Sequence, residues 1–209
     1  NNKNWALMIP LIKGHSLYRT SPLVDSYWLS QSFSGALSLY SLAQTINSAV
    51  ISVLDKFVVV MYLPKIAVLA KDKNITEIKI IYKALTLKIL FFSIVFLVFM
   101  LFIEVHWHDI ISYGLEISKE NSRILWLVII SFICVLFSSL VGTIINNIFY
   151  AFGDTKTPVK IGVYGFLFSV PLRGLGFIYG GMVGLAVMNS VYYLGNLSAL
   201  HIKLKQKLK

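Results

Sequence analysis

The chain has 209 residues, 57% of them hydrophobic and only 13% charged, and a mean hydropathy of +0.76. Soluble domains are about 25% charged, so a soluble globular domain and a disordered tail are excluded, and a single cysteine, Cys134, excludes an intrachain disulfide scaffold. The formal net charge of +10 would suggest nucleic acid in a soluble protein, but no basic, aromatic-interleaved soluble module is present, and nucleic acid is not expected as a partner.

What remains is an all-α polytopic membrane protein, because runs of about 20 apolar residues span a bilayer as helices. Six such runs are predicted, at roughly residues 5–29, 37–63, 84–103, 124–151, 159–179 and 182–202. The first is the most polar. The third, LKILFFSIVFLVFMLFI, is apolar almost all round, which suits a lipid-facing position, and most of the fourth reads the same way. Pro10 and Pro171 are positioned to break the first and fifth helices, and seven glycines between Gly162 and Gly184 permit close approach of the fifth and sixth.

Between the second and third runs lies a linker, roughly residues 64–83. Asn74 and Glu77 have the spacing of a capping box, and Ile75, Ile78 and Tyr82 share a face with Lys79 and Lys83 on another. The pattern predicts a short amphipathic helix on the lipid headgroups, or else a plain connector.

Lysines cluster at Lys65–Lys83, at Lys156 and Lys160, and at Lys203–Lys209. The segment from Glu104 to Arg123 carries Glu104, Asp109, Glu116 and Glu120 against Lys119 and Arg123. With six alternating helices the lysine clusters share one side, and the positive-inside rule makes that side, with both ends of the chain, cytoplasmic. His106, Trp107, His108 and Asp109 read as an interfacial cluster with Trp107 at headgroup level, since a zinc site needs further ligands. No metal site, no cofactor and no enzymatic constellation is predicted.

Ionisable and amide groups inside spanning helices mark cavities or partners. His15, Arg19 and Asp25 in the first helix, Asn47, Asp55 and Lys56 in the second, Arg173 in the fifth and Asn189 in the sixth are the candidates. Together they suggest a hydrated cavity whose cations hold an anionic group such as a phosphate. Alternatively Lys56 snorkels, His15 packs, and the asparagines join helices.

The stretch YAFGDTKTPVKIG, with Tyr150, Gly153, Asp154, Thr155, Lys156, Thr157 and Pro158, resembles the Gly-Asp-Thr signature loop of the MurJ/MviN lipid II flippases, in the multidrug/oligosaccharidyl-lipid/polysaccharide exporter superfamily. Met8–Ser30 resembles the family's seventh helix. Ser38-Leu39-Tyr40 with Ala43-Gln44 and Leu63-Pro64-Lys65 resembles the eighth, and Gly184-Leu185-Ala186 the start of the twelfth. The resemblance implies the C-terminal six-helix lobe of a two-lobe transporter. Its activity would be flipping a polyprenyl-pyrophosphate-linked peptidoglycan precursor across the bacterial inner membrane by alternating access. Its partners would be membrane lipids, that saccharide-bearing lipid and an N-terminal lobe of the same protein, and a coupling cation would be possible. Flippases for O-antigen or capsule precursors share much of the pattern, and a self-contained six-helix channel or carrier is the other alternative. Where the family has Asp-Arg, this chain has Asp25-Ser26, and Arg19 is the expected substitute cation.

Overall fold

The computed structural model describes residues 20–114 and 117–208, so Pro10, His15 and Arg19 lie outside the described residues. The described chain is all-helical, with no strand. Its elements are α1 (Ser21–Leu29), α2 (Ala36–Leu54), α3 (Leu63–Lys71), α4 (Ile75–Phe102), α5 (Trp107–Ser112), α6 (Lys119–Ser131), α7 (Ile133–Ala151) and α8 (Lys156–Lys207). A π turn at Asp55–Val59 and a 3-10 turn at Val60–Tyr62 lead from α2 into α3. Three helical stretches are long and apolar enough to cross a membrane: Ile75–Phe102, Lys119–Ala151 and Lys156–Lys207.

The last stretch is folded on itself. Gly181 adopts φ 56° and ψ −141° and divides α8 into arms 156–180 and 182–207. Across the reversal Gly176 and Gly184 meet backbone to backbone, so that a Cβ on either would enter the other's peptide. Further along, Gly165 lies against Tyr192 and Asn196, and Lys207 reaches Asp154. The arms therefore pack antiparallel, each long enough to cross about 30 Å of hydrocarbon. Pro171, an expected break, lies inside a continuous helix. Its missing N–H costs one ladder bond, which membrane helices tolerate, and the glycine past Gly180 turns the chain instead.

The linker differs from expectation in the same physical way. Asn74 does cap a helix, its Oδ1 accepting the Glu77 N–H at 3.2 Å, but that helix is α4, which continues without interruption to Phe102. Residues 64–71 belong to a separate helix, α3, tied to α4 by Lys65–Glu77 at 2.8 Å. Ile66, Leu69, Ile78 and Ile81 are buried among Val141, Ile145, Ile148 and Leu204. The apolar face thus packs on the protein's own core, and residues 75–83 are the first turns of α4 rather than a short separate helix. Trp107 is likewise buried, its indole donating to the Ser122 carbonyl at 2.8 Å, and so joins α5 to α6 rather than marking the interface.

Two apolar clusters hold the fold. One gathers α3, α4, α7 and the end of α8 around Leu140, Ile144 and Phe149. The other gathers α1, α2, α6 and the start of the second arm around Tyr40, Leu125 and Phe132. The stretch 119–151 contributes to both and is the most buried of the three spans, contrary to the lipid-facing position expected for it. Hydropathy cannot separate the two cases, since lipid tails are as apolar as a leucine core. Helix α4 behaves as expected, leaving Phe91, Ile94, Val98 and Phe102 exposed along one side. An apolar surface of that extent is a lipid or protein contact, not a water-facing one.

Candidate functional site

Between the two clusters lies a polar layer. Along α2 it falls at Gln44 and Asn47, along α7 at Ser138 and Ser139, and along the second arm of α8 at Asn189, Tyr192 and Tyr193. Each of these helices gives buried or partly buried apolar residues to one cluster before the layer and to the other after it, so these polar groups sit at one depth.

At its edge is a buried ion pair. Arg173, 2% exposed at its side chain, donates from Nη1 to Asp25 Oδ1 at 3.1 Å and to Ser21 Oγ at 2.8 Å. Gln44 Nε2 donates to the other carboxylate oxygen at 3.4 Å. The guanidinium also lies over the Tyr192 ring, 5.6 Å from its centroid, a cation–π contact. Beside it, Trp28 fills the notch left by Gly174 and stacks on Phe177. Four segments therefore meet at one charge pair: α1, α2 and both arms of α8.

Pairs like this are expensive to bury and rarely serve stability alone. In hydrocarbon they mark a cavity, a pathway or a moving contact. The cation beside Asp25 thus comes from Arg173, 148 residues away in the sequence. Whether Arg19 contributes falls outside the described residues.

Asn47 and Asn189 are buried, and with Gln44, Ser139 and Tyr193 they line a cavity of about 190 Å³. The Oδ1 of each asparagine has no hydrogen-bond partner among the described residues. Asp55 and Lys56 are placed elsewhere. They open the π turn after α2, Lys56 is exposed and Asp55 half-buried, and neither lines this cavity.

The loop after α7 is built by its own residues. Gly153 at φ 74° lets its N–H reach the Tyr150 carbonyl and that of Asp154 reach Phe149, both at 2.9 Å, closing α7 in a Schellman motif. Asp154 then caps α8: Oδ1 accepts the Thr157 N–H at 3.0 Å and Oδ2 the Thr157 hydroxyl at 2.9 Å. Lys207 adds a third donor at 2.9 Å. Partial burial would raise the Asp154 carboxyl, but the Thr157 N–H, Lys207 and the Thr157 hydroxyl outweigh it and hold its pKa below the ordinary 3.8.

The family model described as "Lipid II flippase MurJ" matches residues 3–209. The chain belongs to this family. It is a membrane protein of a family that acts on a lipid-linked substrate, and the exposed apolar helices agree with that. A comparison with curated proteins gives no match. In the 152–157 loop, Gly153, Asp154 and Thr157 are the residues that end one helix, start the next and, through Asp154, clamp the hairpin's far end.

Sequence reasoning named Asp25, Arg173, Asn47 and Asn189, and the structure brings all four to the polar layer. It missed Ser21, Tyr40, Tyr192 and Tyr193. A signal was present for Tyr192 and Tyr193, which sit three and four residues after Asn189 and so share its helical face.

Proposed function

We propose that this chain is one lobe of a lipid II flippase, moving a polyprenyl-pyrophosphate-linked peptidoglycan precursor across the bacterial inner membrane by alternating access against a second lobe of the same protein. The observation that carries the reading is the buried Arg173–Asp25 pair where four segments converge. A pyrophosphate is a better bidentate partner for a guanidinium than one carboxylate oxygen. Substrate that engages Arg173 competes with Asp25, loosens α1 from the hairpin and shifts the population between inward- and outward-facing states. Asn47 and Asn189 offer neutral hydrogen bonds beside it. Arg173 already neutralises Asp25, so a separate coupling cation is not required at that carboxylate. The Lys-rich edge, with the 152–157 loop and the end of α8, faces the cytoplasm by the positive-inside rule.

The test uses the full protein in cells depleted of their own flippase. Arg173→Ala and Asp25→Ala should each abolish rescue and leave lipid II on the inner leaflet, even when expression is raised until the membrane holds as much variant as parent. Charge exchange, Asp25→Arg with Arg173→Asp, should restore part of the activity. Full rescue by both single variants would overturn the reading.

A further inference from the structure

A second cavity, about 250 Å³, adjoins the polar layer and runs away from it between α7 and the second arm of α8. Its α7 wall is a polar stripe of Ser139, Thr143, Asn146 and Tyr150, at steps of four, three and four residues along one helical face. Asn196 faces it from α8. Ser139 and Tyr193 line both this cavity and the one at Asn47 and Asn189, so the two adjoin at those side chains. At the other end lie Tyr150, which is exposed, and Pro158, next to the 152–157 loop.

Buried polar atoms without protein partners mark out the route. Asn146 Oδ1, Asn196 Oδ1 and Ser138 Oγ have none among the described residues, and Asn47 and Asn189 follow further in. Ser138, Asn47 and Asn189 are each more than nine-tenths buried. Such atoms are almost always satisfied, by protein or by water. One water needs only about 10–15 Å³ of such space and two to four polar partners. The wall carries no charged side chain, so it suits water rather than a bare ion or a phosphate.

We infer that this seam is an aqueous path inside the lobe, from the loop at residues 152–157 to the amide pair Asn47 and Asn189, separate from any cavity between lobes. Its ligand is a file of water. The file satisfies the amides of three helices at once and lets α7 and the hairpin shift without stripping those groups bare. The path rests on the lobe's internal geometry. Only its assignment to the cytoplasmic side depends on the proposed orientation.

The test is cysteine accessibility in the full protein reconstituted in vesicles, with Cys134→Ala and any other native cysteine removed. Thr143→Cys and Ser139→Cys are probed with a small, charged, membrane-impermeant methanethiosulfonate applied to each side in turn. Both should react from the side bearing the loop, Thr143→Cys faster, and from the opposite side at least tenfold more slowly. Asn146→Leu with Asn196→Leu should slow both reactions at least tenfold by filling the seam. Lys71→Cys, an exposed site, serves as the positive control and reports which side is which. Lack of reaction at both seam sites while Lys71→Cys is fully labelled would overturn the path, as would labelling indifferent to the leucine pair. Neither readout requires flipping, so failure of the proposed transport leaves this result intact.

Discussion

Lys207 reaches back 53 residues to Asp154, placing its ammonium 2.9 Å from the carboxylate and within 5.8 Å of the ring centroids of Phe149 and Phe152. The two arms of α8 are thus joined at both ends, by glycine contact at the reversal and by charge at the base. Because the folded carboxyl is held below its ordinary 3.8, its stabilisation is fully present above that value and fades as pH falls through the lower, folded one. Both side chains are about a quarter exposed, so the ion pair itself contributes under about 1 kcal/mol. Asp154→Asn should be less stable than the parent at pH 7 and indistinguishable from it in strong acid. Thermal unfolding in detergent across pH checks this, and a gap that widens on acidification would contradict it.

Removing one member of the Arg173–Asp25 pair leaves a buried charge alone. Asp25→Ala or Arg173→Ala should lose about 3–5 kcal/mol, whereas Asp25→Leu with Arg173→Met should lose much less. A double-mutant cycle on denaturation in micelles would show strong coupling. Additive losses would mean the pair is not coupled in the folded protein.

Gly176→Ala and Gly184→Ala should each destabilise the hairpin by at least about 1–3 kcal/mol, because the new methyl group meets the facing glycine's backbone, which cannot turn aside, and at Gly176 the Met188 side chain as well. Gly142→Ala, with nothing within 4 Å of its added carbon, should be silent or slightly stabilising. Equal effects at all three sites would refute the close approach.

Lys73 and Gly153 occupy equivalent places, the left-handed residue that ends a helix, at φ 55° and 74°. An L-residue there costs about 1–2 kcal/mol. Lys73→Gly should therefore stabilise by about 1 kcal/mol and Gly153→Ala should cost about as much. Chemical denaturation of the two variants, compared with the parent, checks both signs.

Local features were legible in the sequence because local rules set them. Asn74 and Glu77 formed the expected cap. The long apolar run of α4 stayed outward. What periodicity could not give was which apolar face meets lipid and which meets protein, and so most of 124–151 was expected toward lipid although the span that holds it is the most buried of the three. Nor could it pair Asp25 with Arg173, since nothing local links residues on the first and last thirds of the chain. Pro171 shows the converse error: a local rule, true in water, that hydrocarbon relaxes.

The distance in sequence between Asp25 and Arg173 also matters for biogenesis. At synthesis rates of about 5–20 residues per second, the carboxylate emerges roughly 7–30 s before its guanidinium. During that interval α1 carries a charge that hydrocarbon disfavours, and its stable insertion must wait for the hairpin. A ribosome-stalled chain ending before Arg173 should therefore leave the segment around Asp25 extractable, while one ending beyond Lys207 should hold it. The α8 hairpin is then what commits α1, made well before it, to the bilayer.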